Sequence, residues 1–336
     1  MAKTQVADII VPELFEGYVV ERTAEKSRLF QSGLISIEST LSSKISEGGQ
    51  TVNIPFFQDL AGDDQVLTDG ASLTPKKITA TADVGIVHLR GDAFSVNDLS
   101  RKLSGADPLN TIVDLFADYW MRKHQDLLLG TLTGVFGETT MAANSTLDVY
   151  HTTGGAGSAG VDNVINGDVI LDAKQLLGDN KGSLTAIAMH SKVETELAQA
   201  DLIDFIKPSE GAAEIRVFQG MEVIVDDKIT VETIDGDPVY STYLFGRGAF
   251  AYAAGEGSEA AEGGEGTWAV ELDRNALAGD SNIINRKRFI LHPRGVKWNG
   301  ASMAGLAPTN LEVADETNWS QVYETKNVRI VRVRHN

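Results

Sequence analysis

The sequence predicts an α+β fold, and three observations carry that expectation. A long stretch of helical periodicity opens at Asp107 and Pro108, a two-armed strand pattern precedes it, and most of the remaining strand-like segments follow it. Helices and strands are therefore grouped, where repeating βαβ units would alternate them. With 336 residues, 42% of them hydrophobic, the chain can bury roughly 70–75% of the surface it exposes unfolded. One large domain or two intimate ones is the expected organisation.

Residues 8–32 begin the order of elements. Pro12 stands at a plausible helix start, Leu14, Phe15, Tyr18 and Val19 are apolar, and charged AEKSR precedes Leu29 and Phe30. This reads as an amphipathic arm ending near Gly33. From Gly48 to Val96 the period changes to two. TVNIPFF is strand-like, a polar stretch from Asp59 to Thr74 follows, and Ile78, Ala80, Ala82, Val84 and Ile86 alternate with Thr79, Thr81, Asp83 and Gly85. Two long strand arms joined by a polar tip explain this pattern. Their apolar face is thin, so such a hairpin is marginal alone and needs a surface to lie on.

Asp107 and Pro108 suit the cap and first position of a helix. Leu109, Ile112, Val113, Phe116, Tyr119 and Trp120 then recur at helical spacing before the leucines at 127–129. The helix is expected to reach about Leu132, a rod of roughly 35 Å at about 1.5 Å per residue. A second helix is expected from Gly167 to Leu177 with Gly178 as its stop. Ser191 and Glu194 form an S-x-x-E pattern that predicts a capping box for a third, from Lys192 to about Ala200. LTAIAMH, IRVFQGMEVIVDDKI, VYSTYLFGRGAFAYA and KNVRIVRVRH read as strands, with Asp235 and Gly236 as a turn.

Composition excludes several functions. There is no cysteine, so no disulfide framework or thiolate metal site is expected. The opening MAKTQVADIIVPELFEG lacks the pattern of a signal peptide, and no apolar run is long enough to cross a bilayer, which predicts a soluble protein made in the cytoplasm, with no membrane partner. Acidic residues number 47 against 29 basic, a net charge of -18 that repels phosphate; solubility alone is the stronger reading of this balance, which also fits a container better than a binder.

Chemical motifs are thin. Gly155, Gly157 and Gly160 in GAGSAG match the letters of a dinucleotide-binding turn, but no strand leads into them and no βαβ pattern surrounds them, so a surface loop is the stronger reading. The histidines at 88, 124, 151, 190, 292 and 335 fall on different elements and are expected on the surface or in single hydrogen bonds. The acidic pairs Asp63/Asp64 and Asp226/Asp227 read as solvated turns. No catalytic residue, metal ligand or cofactor site is assigned. Charge is uneven: Glu256, Glu259, Glu262 and Glu265 dot a Gly/Ala-rich segment, and Arg286, Lys287, Arg288, Arg294 and Lys297 follow it. The C-terminal strand adds Lys326, Arg329, Arg332 and Arg334. Ordinary surface charge and complementarity between neighbouring copies explain this equally well.

Three phrases carry a family resemblance as a set: ADIIVPELFEGYVVERTAEKSRLFQSGLIS, VGIVHLRGDAFSVNDLSRKLSGADPLNTIVDLFADYWMRKHQDLLLGTLTGVF and IAMHSKVETELAQADLIDFIKPSEGAAEIRVFQGMEVIVDD. The chain resembles the HK97-fold major capsid proteins of tailed bacteriophages. The resemblance implies an N-terminal arm at residues 1–43, an extended E-loop hairpin at 44–93, a peripheral domain with a long spine helix at 94–145 and 321–336, and an axial domain at 146–320. It implies a non-enzymatic subunit that forms pentamers and hexamers of an icosahedral head around double-stranded DNA, located in the virion capsid and assembled in the host cytoplasm. Scaffolding protein, portal and a decoration protein are the implied partners. The candidate contacts between copies are Pro12, Phe15 and Tyr18 on the arm, Asp63, Asp64, Lys76 and Lys77 on the loop, and Arg286 and Arg288 in the basic cluster. The motif for lysine to asparagine crosslinking in some members has no match here, so Lys76 and Lys77 are not read as crosslinking residues. Two alternatives stand beside this reading: an encapsulin-like shell protein of a bacterial nanocompartment, and a nucleotide-dependent enzyme using GAGSAG.

Overall fold

The computed structural model describes residues 33–60, 63–66, 73–99, 102, 108–150, 164–206, 215–255 and 267–336. Two large sheets and one long helix organise them. In the first sheet Ile35–Ile37 runs parallel to Phe250–Ala254, which pairs antiparallel with the end of Asp280–Pro293. Asp280–Pro293 is the centre of this sheet: Thr267–Asn275 lies on one edge of it and the inner half of Ala80–Asn97 on the other.

Ala80–Asn97 changes partner along its length, and that change makes the projecting hairpin. From Val87 to Asn97 it pairs with Ile290 back to Asp280, and from Ala80 to Ile86 it pairs instead with Thr51–Phe57. The two arms expected between Gly48 and Val96 are therefore present, and only the base of the hairpin is anchored in the body. Asp83, which alternates with the apolar residues of the arm, is buried: its carboxylate accepts from His292 Nε2 at 2.9 Å and from the Gly295 amide at 3.1 Å. The residue sits where the hairpin leaves the sheet, so its alternation points it under the loop at the end of Asp280–Pro293.

The second sheet has the order Thr146–Asp148, Ile330–His335, Asp237–Gly246, Leu184–Met189, Met221–Val225, Ile215–Phe218 and Asp204–Ile206, with Val231–Ile234 on the outer end of Asp237–Gly246. The turn at Asp235 and Gly236 is where it was expected, with φ of 52° and 93°, the left-handed conformations that a tight hairpin turn requires. Alternation divides the faces of this sheet. Ile187, Met189, Leu244, Val331 and Val333 meet Ile170, Val193 and Leu197 from the helices Gly167–Gln175 and Ser191–Gln199, and Leu177 just beyond the first. Ala186, Ala188, Tyr243, Phe245 and Ile330 face the long helix. The C-terminal strand Ile330–His335, grouped with the spine helix by the family resemblance, is hydrogen-bonded into this second sheet, between Thr146–Asp148 and Asp237–Gly246.

The long helix runs from Pro108 to Gly137, 30 residues and about 45 Å. It starts at the residue expected and continues one turn past Leu132. Its first half has one apolar face: Phe116 and Trp120 lie on Ile283 and Phe94 of the first sheet. Its second half is buried on most sides, Thr133 being exposed, with Leu127, Leu128, Leu132, Val135 and Phe136 sharing one core with residues of both sheets. Gly134 is required there, because a Cβ would stand 2.3 Å from the Val313 carbonyl oxygen and 2.6 Å from Trp319 Nε1. None of the helices among the described residues is long and apolar enough to cross a membrane.

The third helix differs from its expected cap. It begins at Ser191, and the residue in the extended capping position is His190, whose Nδ1 accepts from the Lys192 amide at 3.1 Å. Glu194 is not drawn back to the cap but pairs with Arg216 at 2.8 Å. A true capping box forms instead at Thr309 and Glu312, where the four-residue helix Asn310–Val313 crosses the long helix near Gly130 and Gly134.

Candidate assembly surfaces

The hairpin carries its apolar residues outward. Phe57, Leu60, Val66, Leu73 and Ile78 are 72%, 78%, 85%, 60% and 53% exposed, although the tip reads as polar overall. Isolated exposed apolar residues are ordinary, but five along one projecting element amount to an uncovered surface. A few bonds hold the tip together: Gln65 and Thr74 exchange two hydrogen bonds of 2.8 Å, and Lys76 Nζ donates to the Asp63 carbonyl oxygen. Below the hairpin an open groove of about 720 Å³ runs between Phe56, Phe57 and Asp59 on one side and Tyr323 and Arg329 on the other. Phe56 and Tyr323, both lining this groove, meet edge to face at 4.6 Å. At the opposite end of the first sheet, the tip between Thr267–Asn275 and Asp280–Pro293 presents a fully exposed Leu277.

The expected contact residues are distributed unequally. Pro12, Phe15 and Tyr18 lie outside the described residues, as do GAGSAG and the glutamates from 256 to 265. Asp63, Asp64, Lys76 and Lys77 are exposed on the hairpin. Arg286 and Arg288 share a face of Asp280–Pro293, while Lys287 between them is buried with its ammonium 5.4 Å from the Trp120 ring. The basic cluster is therefore split by strand alternation. Arg286 pairs with Glu271 of its own chain at 2.8 Å, and Arg294 with Glu38.

Two of the C-terminal arginines, Arg332 and Arg334, serve the interior, contrary to their reading as surface or interfacial charge, while Arg329 is exposed. Arg332 is buried, donating to the Phe136 carbonyl oxygen at 3.2 Å with its guanidinium over the Phe136 ring. Arg334 joins Glu232 at 2.6 Å and Asp148 at 3.5 Å, tying three strands of the second sheet. Asp226 is likewise not a solvated turn residue, since it is buried and accepts from the Lys228 amide at 2.9 Å and from Gln125.

Histidines also converge in a way their spacing conceals. His88, His124 and His292 are all buried, and His88 and His124 approach the ring of Phe289 at 5.5 Å and 4.5 Å. Burial, with Arg90 and His124 nearby, pushes His88 down to about 3, and burial with Lys287 nearby pushes His124 down to about 3. Both are neutral near pH 7. Asp83 is raised by burial but lowered further by His292 and two backbone amides, so its carboxyl titrates below the usual range. Among the described residues there is no group of three or more acidic, histidine or cysteine side chains able to hold a metal.

Comparison with known proteins places this architecture. No family model matches the chain. Across 338 aligned residues it is 41% identical to the major capsid protein of Bacillus phage SPP1, covering 100% of this chain and 99% of that one. Its fold is similar to the capsid of Ralstonia phage GP4, with TM-score 0.62 and 12% identity over 96% of this chain and 95% of that chain. It is also similar to the SrpI encapsulin of Synechococcus elongatus PCC 7942, with TM-score 0.58 and 9% identity over 99% and 95% of the two chains. The overall fold is thus a known architecture, and the full-length relative fixes the branch: the chain belongs to the HK97-fold major capsid proteins of tailed bacteriophages.

Proposed function

We propose that this chain is the structural subunit of an icosahedral phage head, assembling through pentamers and hexamers into a closed shell around double-stranded DNA in the host cytoplasm. The observation that carries the reading is the projecting hairpin, whose arms are joined by seven residue pairs from Thr51 to Phe57 and whose described residues beyond them are exposed. Fully burying each of its exposed large apolar side chains against a neighbour is worth about 1.5–3 kcal/mol before association costs. A closed lattice repeats that contact at every subunit.

The division into an arm at 1–43, an E-loop at 44–93, a peripheral part at 94–145 with 321–336 and an axial part at 146–320 belongs to this proposal, and the two sheets tie the last two parts into one core. Asp63, Asp64, Lys76, Lys77, Arg286 and Arg288 are proposed as contacts between copies, with Pro12, Phe15 and Tyr18 on the arm. A scaffolding protein, a portal and a decoration protein are the proposed partners, and the role is structural and not catalytic. An encapsulin-like compartment shares the fold, but the 41% identical full-length relative favours a phage head.

The test replaces residues 60–74 with a short Gly-Ser turn. The variant is expected to melt cooperatively as a soluble protein and to form no stable shells in negative-stain images. Normal shells overturn the assignment of the hairpin, and an unfolded product does so as well, since it places the loop inside the folding core.

A further inference from the structure

Asparagine followed by glycine occurs twice in the chain, at Asn166–Gly167 and at Asn299–Gly300, and the fold treats the two pairs differently. Asn299 follows the strand Val296–Trp298; its amide donates to the Asn318 carbonyl oxygen at 2.7 Å, and the residue is exposed. Gly300 turns the chain away with φ of 65°, and a Cβ on it would stand 3.1 Å from Trp298 Nε1. The turn therefore takes glycine for backbone reasons. The same choice leaves the Gly300 nitrogen uncrowded, and its N–H donates to no acceptor among the described residues. Asn299 Oδ1 accepts from the Ser320 hydroxyl at 3.2 Å, while Nδ2 of the same side chain has no partner among the described residues.

Asn166 has the same neighbour in the opposite setting. It is the extended cap of the helix Gly167–Gln175, with φ of -140° and ψ of -177°, and its Oδ1 accepts from the Val169 amide at 2.9 Å. Gly167 is the first residue of that helix, and a Cβ on it would lie 2.8 Å from Gln219 Nε2, so that side of the glycine is closed. Moving the Asn166 side chain onto the Gly167 nitrogen breaks the cap and leaves the Val169 amide without an acceptor. A hydroxyl such as that of Ser320 rotates with the oxygen it donates to, which a helix amide cannot do.

We propose that Asn299 is a site of spontaneous covalent modification, at which the Gly300 nitrogen closes a succinimide on the Asn299 side chain. Water removes the Gly300 amide proton, the electron pair of that nitrogen forms a bond to Asn299 Cγ, and the bond from Cγ to Nδ2 breaks as the amide nitrogen takes up a proton and leaves as ammonia. The Ser320 hydroxyl donates to the oxygen that carries the transient negative charge. Water then opens the ring at Cγ, giving aspartate, or at the main-chain carbonyl carbon, giving isoaspartate. One water is consumed and one ammonia released, with no change of oxidation state. Either product adds a negative charge. Isoaspartate also lengthens the main chain where it enters the loop whose Leu306 carbonyl oxygen accepts from Gln50 Nε2 at 2.9 Å, at the base of the hairpin. The reaction is a time-dependent mark on that loop and does not depend on the shell reading.

The test incubates the full-length chain at neutral pH in water enriched in ¹⁸O, folded in one sample and unfolded by guanidinium chloride in another. Digestion in ordinary water and mass spectrometry with electron-transfer fragmentation then locate each converted residue and separate isoaspartate from aspartate. In the folded chain Asn299 is expected to become an acid carrying one ¹⁸O, in both isomers. Asn166 is expected to lag behind it by about fivefold or more, the factor that loss of a helix cap adds to a barrier. In the unfolded chain the two sites are expected to convert at comparable rates, since both reduce to the same dipeptide. Asn299→Gln, which keeps the amide but cannot close the five-membered ring, is expected to fold and to show no product at that position. Retention of Asn299 in the folded chain while the unfolded chain loses it overturns the proposal. Equal conversion of Asn299 and Asn166 in the folded chain overturns it as well.

Discussion

Replacing Trp120 with alanine tests whether the first half of the long helix is core. The side chain is buried against Phe116, Phe94 and Ile283, its ring stands 5.5 Å from that of Tyr119, and the Lys287 ammonium lies 5.4 Å from its centre. Its Nε1 has no partner, so truncation removes no hydrogen bond, and the cost is packing together with the ring face under Lys287. Truncations of this kind cost about 3–5 kcal/mol, and the loss of a ring face for a buried ammonium belongs at the upper end. For 336 residues, an unfolding entropy of about 2.1 cal/mol/K per residue gives about 0.7 kcal/mol/K, so the melting temperature should fall by about 4–7 °C. Differential scanning calorimetry of the unassembled chain reads this directly. Trp120→Phe, which keeps a ring on the same sheet residues, should lose less than half as much. A Trp120→Ala protein melting within a degree of wild type would show that the sheet does not rest on this face.

Two glycines one turn apart on the same helix should respond oppositely to alanine. Gly134→Ala drives a methyl into the Val313 carbonyl and the Trp319 ring and should cost about 1–3 kcal/mol, while Gly130→Ala meets only the Asn310 carbonyl at 3.7 Å and should gain up to about 1 kcal/mol in denaturant melts. Equal effects would refute the close approach. Asp83→Ala strands His292 and the Gly295 amide without their acceptor and should cost about 3–5 kcal/mol, with Asp83→Asn costing less because one oxygen remains. A wild-type melting curve for Asp83→Ala would remove the pin at the hairpin base. Acid sensitivity should come from buried histidines: His88 and His124 at about 3 and His335 at about 4 lie below their unfolded value, so the unfolded state binds more protons between those limits. Stability should therefore fall as pH drops below about 6.5, by about 1.4 kcal/mol per pH unit for each histidine. Flat stability from pH 7 to 5 would show that these rings are protonated in the fold.

Local signals in the sequence located most elements. Pro108 opens the long helix because its fixed φ and missing N–H suit a first helical turn, and Asp235 and Gly236 mark a hairpin because both tolerate positive φ. The alternation from Ile78 to Ile86 announced a strand arm with too thin a face to stand alone. The capping pattern at Ser191 and Glu194 was equally local but failed, because the strand before it ends at Met189, leaving His190 in the extended capping position while Arg216 draws Glu194 away. Gly134 is a related case, since only the approach of Val313 and Trp319 shows why the helix has no side chain there.

Periodicity by itself determined the α+β class, the long helix and the projecting hairpin, while the capsid family came from the resemblance of three phrases read together. They did not decide which charges remain available to a neighbour. Arg332 and Arg334 stand near Arg329 in sequence, yet the second sheet uses the first two inside the chain; Asp83 and His292 are 209 residues apart and form one buried pair. Secondary structure follows from interactions within a few residues, so its signals are written consecutively along the chain. Burial of a charge depends on which distant elements the sheets bring together, and that is set by strand order and register.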